Sequence, residues 1–376
     1  MKEKGDEVEM KNNLFSERVL GIEMSGIRKF FQKAKPGSIN LGIGQPDFPT
    51  PEHIKKAGIK AIEDNLTGYT FNTGVPELRE AISAKFKREN GLEYSPDQII
   101  VTGGAGEALH IAMESLVDNG DRVLYPDPGF VSYRECAVLA GGIPNGIPLD
   151  ESLHIKTEIC KEMLDGAKVM VLNSPANPTG AVEDRETIRD LVEYADDAGV
   201  TVISDEVYEH FIYDKEHTSA ALFGDNVVTI NAASKTFSMT GWRVGFVAAG
   251  QEMIDQMTKV HQYCLTCATS ISQYAAIAGY TGTNECVLGM KSEYAARRDL
   301  LYNGLKNLGF EFPKPEGAFY MFVPMKTEMQ YKILDAGVVI IPGDAFGKNA
   351  VDYARFSYAA SRDDITEALK RIESII

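Results

Sequence analysis

The chain has no apolar run approaching the roughly 20 residues that a membrane-spanning helix needs. Its start, with Lys2, Glu3, Lys4, Asp6, Glu7 and Glu9, lacks the apolar core of a signal peptide. The expectation is therefore a cytoplasmic protein in which residues 1–13 form a weakly docked extension. Positive charge is also scarce: 38 Lys and Arg stand against 54 Asp and Glu, a net −16. That balance argues against nucleic acid and anionic membranes as partners. It also means that an anionic substrate would need specific arginines to hold it. Cysteine is sparse too, at five in 376 residues, an odd number that argues against a disulfide framework. The lone C-x-x-C of Cys264 and Cys267 lacks the second pair of a zinc site, so no metal is expected and both read as core or interface cysteines. Gly104-Ala105-Gly106 is not followed by the Gly-Lys-Ser/Thr of a phosphate loop, and Leu109 stands where a dinucleotide fingerprint has its third glycine. There are no repeats and no low-complexity tracts.

What is present is an alternation of short apolar runs with helical periodicity. The runs are Gln98 to Thr102, Arg122 to Tyr125, Val169 to Leu172, Val200 to Ile203, Val227 to Ile230 and Gly245 to Ala248. Helical patterns such as Glu107 to Val117 and Asp184 to Ala198 lie between several of them, the βαβ signature of a mostly parallel sheet covered on both faces. A helical region from about Gln273 to Leu308 leads to strands near Ala318 to Phe322, Val338 to Ile341 and Tyr353 to Ser357, then a helix from Asp363 to Ser374. The fold expected is α/β, a large domain over 45–285 with a mostly parallel seven-stranded sheet sandwiched by helices. A smaller α+β domain over 286–376 is joined by residues 14–44, with a ligand cleft between the two.

Ligands of such sheets bind beyond the carboxyl ends of the strands, and the residues there form a chemical set. Lys235 follows Val227 to Ile230; a lysine in a small-residue pocket can lose its proton and attack an aldehyde to form a Schiff base. Arg243, eight residues on, can grip a phosphate with paired hydrogen bonds. An aldehyde and a phosphate on one cofactor point to pyridoxal phosphate. Asp205 ends an apolar strand, where a carboxylate needs a partner; a protonated pyridine nitrogen would serve, as would the helix that it could cap instead. Tyr208 and Asn177 could donate to the cofactor's phenolic oxygen, and Pro178 suggests a cis bond or tight turn. Ala105 and Gly106 open a helix whose backbone N–H groups could meet the phosphate. Phe130 could stack on the ring or belong to the core. Arg355, between apolar neighbours, could hold a substrate α-carboxylate or a structural carboxylate.

Seven blocks in order then carry a resemblance: LGIGQPDF at 41–48, YTFNTGVPELR at 69–79, NSPANPTG at 173–180, SDEVY at 204–208, SKTFSMTGWRVGF at 234–246, PEGAFY at 315–320 and PGDAFG at 342–347. Along nearly its whole length the chain resembles the fold-type I, class I/II pyridoxal-phosphate aminotransferases, most of all the archaeal and bacterial aspartate and aromatic branch. The resemblance implies Lys235 as Schiff-base lysine and 1,3-proton shuttle, Asp205 as pyridinium partner, and Asn177 and Tyr208 as donors to the phenolic oxygen. It implies Ala105, Gly106, Ser234 and Arg243 at the phosphate, Phe130 stacked on the ring, and Gly44, Asn177 and Arg355 at the substrate carboxylate. Tyr69 would reach the phosphate of a neighbouring subunit, which implies a homodimer with shared active sites. Ala232 replaces a serine that many relatives carry, Phe130 stands where some carry tryptophan, and no second basic residue can be assigned to a distal carboxylate. The activity expected is transamination between an L-amino acid and a 2-oxo acid, aspartate with 2-oxoglutarate first. Aromatic amino acids or alanine come next, and a pyridoxal-phosphate lyase after them.

Overall fold

The computed structural model describes residues 14–24, 26 and 35–376, and the expected extension at 1–13 lies outside them. Seven strands form the main sheet: β2 Ile99–Thr102, β3 Arg122–Asp127, β4 Ile143–Pro148, β5 Ala167–Asn173, β6 Thr201–Asp205, β7 Val227–Ala232 and β8 Gly245–Ala248. Their spatial order is β2-β8-β7-β6-β5-β3-β4. Every pairing is parallel except those of β8, which runs against both β2 and β7. The expected mostly parallel seven-stranded sheet is thus present. β4 is an element that the sequence pattern did not reveal. Pro144, Gly146 and Pro148 break its apolar run, and such residues are tolerated because β4 is an edge strand.

The strands read as continuous apolar runs because both faces are covered. In β5, Val169 and Val171 pack with the helices Ala105–Leu116 and Gln251–Cys264, whereas Met170 and Leu172 point to the helix Arg185–Asp197. That last helix buries Ile188, Leu191, Val192 and Ala195, the i, i+3, i+4, i+7 spacing of one helical face. The helical region expected from 273 to 308 is two helices, Ser270–Thr281 and Glu285–Asn307, broken at the glycine of 282–284.

The C-terminal unit holds an antiparallel sheet ordered β11-β12-β9, with β9 Tyr320–Pro324, β11 Ile341–Pro342 and β12 Tyr353–Ser357. A separate parallel pair joins β1 Ile39–Asn40 to β10 Val338–Val339, so the single run expected at Val338 to Ile341 feeds two sheets. Farther upstream, Arg18 donates to the carbonyl of Leu139, on a helix of the large sheet. One apolar cluster spans both units: Val207, Tyr208, Phe211 and Ala232 from the main sheet side pack with Phe319, Tyr320 and Phe356. The carboxyl ends of β2, β3, β5, β6 and β7 all open towards this seam, and the reversed β8 brings its own start, at Gly245, to the same edge.

Candidate active site

Each strand end presents its residues for a local reason. β6 ends on Asp205, which is 8 % exposed, and the chain turns at once into Glu206-Val207-Tyr208. The turn is pinned from behind. Ser204 and Ser219 each donate to Glu206 Oε1 at 2.8 Å, while Lys85, Asn90 and Asn231 surround the buried Glu209. Glu206 and Glu209 thus face away from the seam, which leaves Asp205 and Tyr208 facing it. Asp205 Oδ2 accepts from Tyr133 Oη at 2.7 Å, and no cation lies within ion-pair reach of it among the described residues. Burial holds its pKa up at about 6, against the pull of the Tyr133 bond.

Lys235 sits on the single helical turn Ala233–Thr236 that follows β7. Its Nζ donates to Gly44 O at 2.7 Å and lies 5.8 Å from the centre of the Tyr208 ring. Loss of hydration first, and the charges of Arg355 and Arg243 after it, bring its pKa down to about 8, with Asp205 opposing. A lysine in that state carries a substantial neutral fraction at mildly alkaline pH.

Ala105 and Gly106 are the first residues of the helix Ala105–Leu116, so their N–H groups have no partner within it. Gly104 precedes them at φ +101°, and a Cβ there would lie 2.5 Å from Arg243 Nη2. Only glycine admits the guanidinium to that helix end. Arg243 itself adopts φ +57°, and its Nη1 holds Thr240 O at 3.0 Å. Ser234 is buried beside the same edge. Backbone N–H groups at a helix N-terminus beside an arginine form an anion cradle.

Arg355, in the middle of β12, is 2 % exposed. It donates to Asn177 Oδ1 and Gly42 O, both at 2.7 Å, and its Nε is buried without a partner. No carboxylate of the described residues pairs with it, so the structural ion pair weighed from sequence is not formed. Asn177 is held in turn by its N–H to Asn173 Oδ1 at 2.9 Å, and the Asn177–Pro178 peptide is cis. With its oxygen on Arg355, the Asn177 amide keeps its Nδ2 hydrogens for another acceptor. Phe130 is half-buried and meets Tyr133 edge-on, at 5.6 Å between ring centres. Tyr69 stands apart from the others, 89 % exposed.

Three residues escaped the sequence reading. Tyr133 bonds Asp205 from 72 positions away, with no local signal. Asn173 links the Asp205 carbonyl to Asn177, and its place at the head of the NSPANPTG block was the available sign. Tyr320 Oη lies 2.8 Å from Tyr208 Oη, and its place at the end of the PEGAFY block was the available sign.

The donor set suits pyridoxal phosphate on three counts. A buried carboxylate without a cation suits a protonated ring nitrogen, a lysine of lowered pKa suits an aldehyde, and the cradle at Gly104 suits a phosphate. Comparison with known proteins agrees. The family model described as aminotransferase class I and II matches residues 36–372. A probable aspartate aminotransferase of Methanocaldococcus jannaschii is 45 % identical, covering 96 % of this chain and 100 % of its own. An aromatic-amino-acid aminotransferase of Thermococcus litoralis is 38 % identical over 96 % and 98 % of the two chains. The solved structure of an aspartate aminotransferase from Thermus thermophilus with maleate superposes with a TM-score of 0.92 at 34 % identity, covering 96 % of this chain and 99 % of its own. Architecture, donor set and relatives converge, and the chain belongs to the class I and II aminotransferases, enzymes that use pyridoxal phosphate to move an amino group between an amino acid and a 2-oxo acid.

Proposed function

We propose that this enzyme transaminates aspartate with 2-oxoglutarate, and that the residues at the seam divide the work as follows. The observation that carries the reading is a buried carboxylate at Asp205, an amine of lowered pKa at Lys235 and a buried guanidinium at Arg355, close enough that the amine feels both charges, yet none of them in an ion pair among the described residues. Pyridoxal phosphate, when bound, supplies an aldehyde to carry the amino group and a ring that withdraws electrons from the substrate's Cα. Lys235 is the covalent anchor, Asp205 faces the ring nitrogen, and Tyr208 and Asn177 donate to the ring oxygen. Ala105, Gly106, Ser234 and Arg243 hold the phosphate, and Phe130 covers the ring. Arg355 takes the substrate's α-carboxylate, with Gly44 and Asn177 beside it, and so orients the Cα–H bond. Once the substrate's amino group has replaced it in the linkage, the freed Lys235 Nζ, neutral in part, would take the α-proton and redeliver it.

Aspartate is supported by the relatives in Methanocaldococcus and Thermus. The second reading, an aromatic donor, draws on the Thermococcus relative and on the lack of an assigned cation for a distal carboxylate. With 2-oxoglutarate as acceptor, kcat/KM is expected to be highest for aspartate among aspartate, alanine, tyrosine and phenylalanine. A tenfold advantage for tyrosine or phenylalanine would reverse the choice, and release of ammonia without an acceptor would turn it to a lyase.

We also infer a homodimer with shared sites. Its support is an exposed apolar stretch, Ile59, Ile62, Leu66, Tyr69 and Phe71, each at least 39 % exposed. Sedimentation is expected to give twice the 41.3 kDa chain mass; a monomer at micromolar concentration refutes it. A cytoplasmic location is consistent with the net −16 charge and with the absence, among the described residues, of a helix long and apolar enough to cross a membrane.

A further inference from the structure

Tyr320 opens β9 and is 1 % exposed. Its neighbour Phe319 shows that an aromatic ring packs at this seam without a hydroxyl, so the buried oxygen of Tyr320 calls for a partner. That partner is Tyr208, hydroxyl to hydroxyl at 2.8 Å, with the two rings edge to face at 5.6 Å. The face of the Tyr320 ring is occupied as well. The Arg355 guanidinium carbon lies 4.3 Å from its centre, a desolvated cation on a π-face. Gly44 completes the setting. A Cβ on it would come within 2.5 Å of Tyr320 Oη, so only a glycine lets the backbone approach, and the Gly44 carbonyl accepts Lys235 Nζ. One side chain thus touches the phenol, the guanidinium and the backbone stop of the lysine.

Each hydroxyl has a single hydrogen to donate. On the reading given above, Tyr208 directs its hydrogen to the ring oxygen of the cofactor, and Tyr320 is then the donor in the Tyr208 pair. Two hydroxyls in series onto an ionised oxygen polarise one another, which strengthens the terminal bond by about 10–30 %. Arg355, Lys235 and Asp205, with the phenols of Tyr133, Tyr294 and Tyr358, are the charged or titratable groups around this pair.

We propose that Tyr320 is a positioning residue for transamination: its hydroxyl supports Tyr208 on the cofactor and its ring supports Arg355 on the substrate carboxylate, so that the two grips are coupled through one side chain. The inference rests on the proposed places of Tyr208 and Arg355. Coupling of this kind is reciprocal, so a carboxylate on Arg355 and the ionised ring oxygen each favour the geometry that the other needs.

The test is a pH titration of the visible absorbance of the cofactor-loaded protein, with steady-state kinetics alongside. Bonds to the ionised ring oxygen lower the midpoint of that titration. Tyr320→Phe removes one oxygen and keeps the ring. It is expected to raise the midpoint by about half a unit while KM for the amino acid stays within about twofold. Tyr320→Leu removes the ring as well and is expected to raise KM by about tenfold; Tyr320→Met substitutes for it if the leucine variant does not fold. Tyr208→Phe is the reference and raises the midpoint further. If Tyr208→Phe moves the midpoint and Tyr320→Phe does not, the relay through Tyr320 is wrong and the site assignment stands. If neither moves it, Tyr208 does not face the cofactor and both fall together. An unchanged KM in the leucine and methionine variants overturns the support of Arg355.

Discussion

Lys235→Ala is expected to lower kcat by at least about ten-thousand-fold and to remove the visible absorbance of the lysine-linked cofactor. The size follows from two roles held by one atom. Nζ is the proposed covalent anchor, and a positioned acid–base group alone is worth about 10²–10⁴ in rate. The surroundings of Lys235 are arranged for this. Gly44 O holds the amine at 2.7 Å, the apolar seam strips its hydration, and its pKa falls to about 8. No other lysine or histidine of the described residues is placed to act in its stead at this seam. Lys235→Arg is expected to fail equally, because a guanidinium keeps its proton and cannot form the linkage. The alanine variant retains the cradle at Gly104 and the carboxylate of Asp205, so pyridoxal phosphate is still expected to bind, without the covalent link. Absorbance spectra and single-turnover rates measure both effects. A variant within tenfold of the wild-type rate would remove Lys235 from the chemistry.

The parts of this site that were legible in the sequence are those that depend on the chain locally. A parallel strand buried on both faces is a continuous apolar run, so Val169 to Leu172 and Val227 to Ile230 announced themselves, and the polar residues just past them could be suspected as ligands. Asp205 was conspicuous as a carboxylate closing such a run. What was not legible depends on the third dimension. β4 carries two prolines and a glycine, tolerable only at an edge that the sequence does not declare. Arg243 reaches the carboxyl edge because β8 runs against its neighbours, and strand direction is not written in apolar periodicity. Nothing in the local sequence singles out Tyr133, or Tyr320 beyond its place in the PEGAFY block. Only the folded chain shows that one hydroxyl meets Tyr208 and the other Asp205. The choice between a structural and a functional Arg355 likewise needed the observation that no carboxylate pairs with it.

The second large effect concerns Asp205, and it has opposite signs in the two forms of the protein. Without cofactor, this carboxylate is buried with a tyrosine hydroxyl and one long backbone contact, at 2.7 and 3.3 Å, and no cation. Its pKa accordingly stands at about 6, above the ordinary 3.8. An acid whose pKa is raised by folding is bound to its proton more tightly in the folded state. Below about pH 4 the group is neutral in both states and makes no difference. As the pH rises from about 4 to about 6 the folded protein loses stability, by up to about 3 kcal/mol for two units, and above that window the loss is constant. Asparagine keeps the shape and an oxygen for Tyr133 but has no charge. Asp205→Asn without cofactor is therefore expected to be more stable than the wild type at pH 7.5, by roughly 1–3 kcal/mol, and to lack the decline between pH 4 and 6. In the loaded enzyme the sign reverses. The charge that destabilises the empty site is the one proposed to face the protonated ring nitrogen, and its removal is expected to lower kcat by about a thousand-fold. Urea unfolding across pH measures the first effect and steady-state kinetics the second. A variant that is destabilised when empty, or that keeps a tenth of the activity, breaks the argument. If both effects are found, the instability of the empty site and the activity of the filled one trace to a single carboxylate, held in place by Tyr133 and by the buried acids behind it.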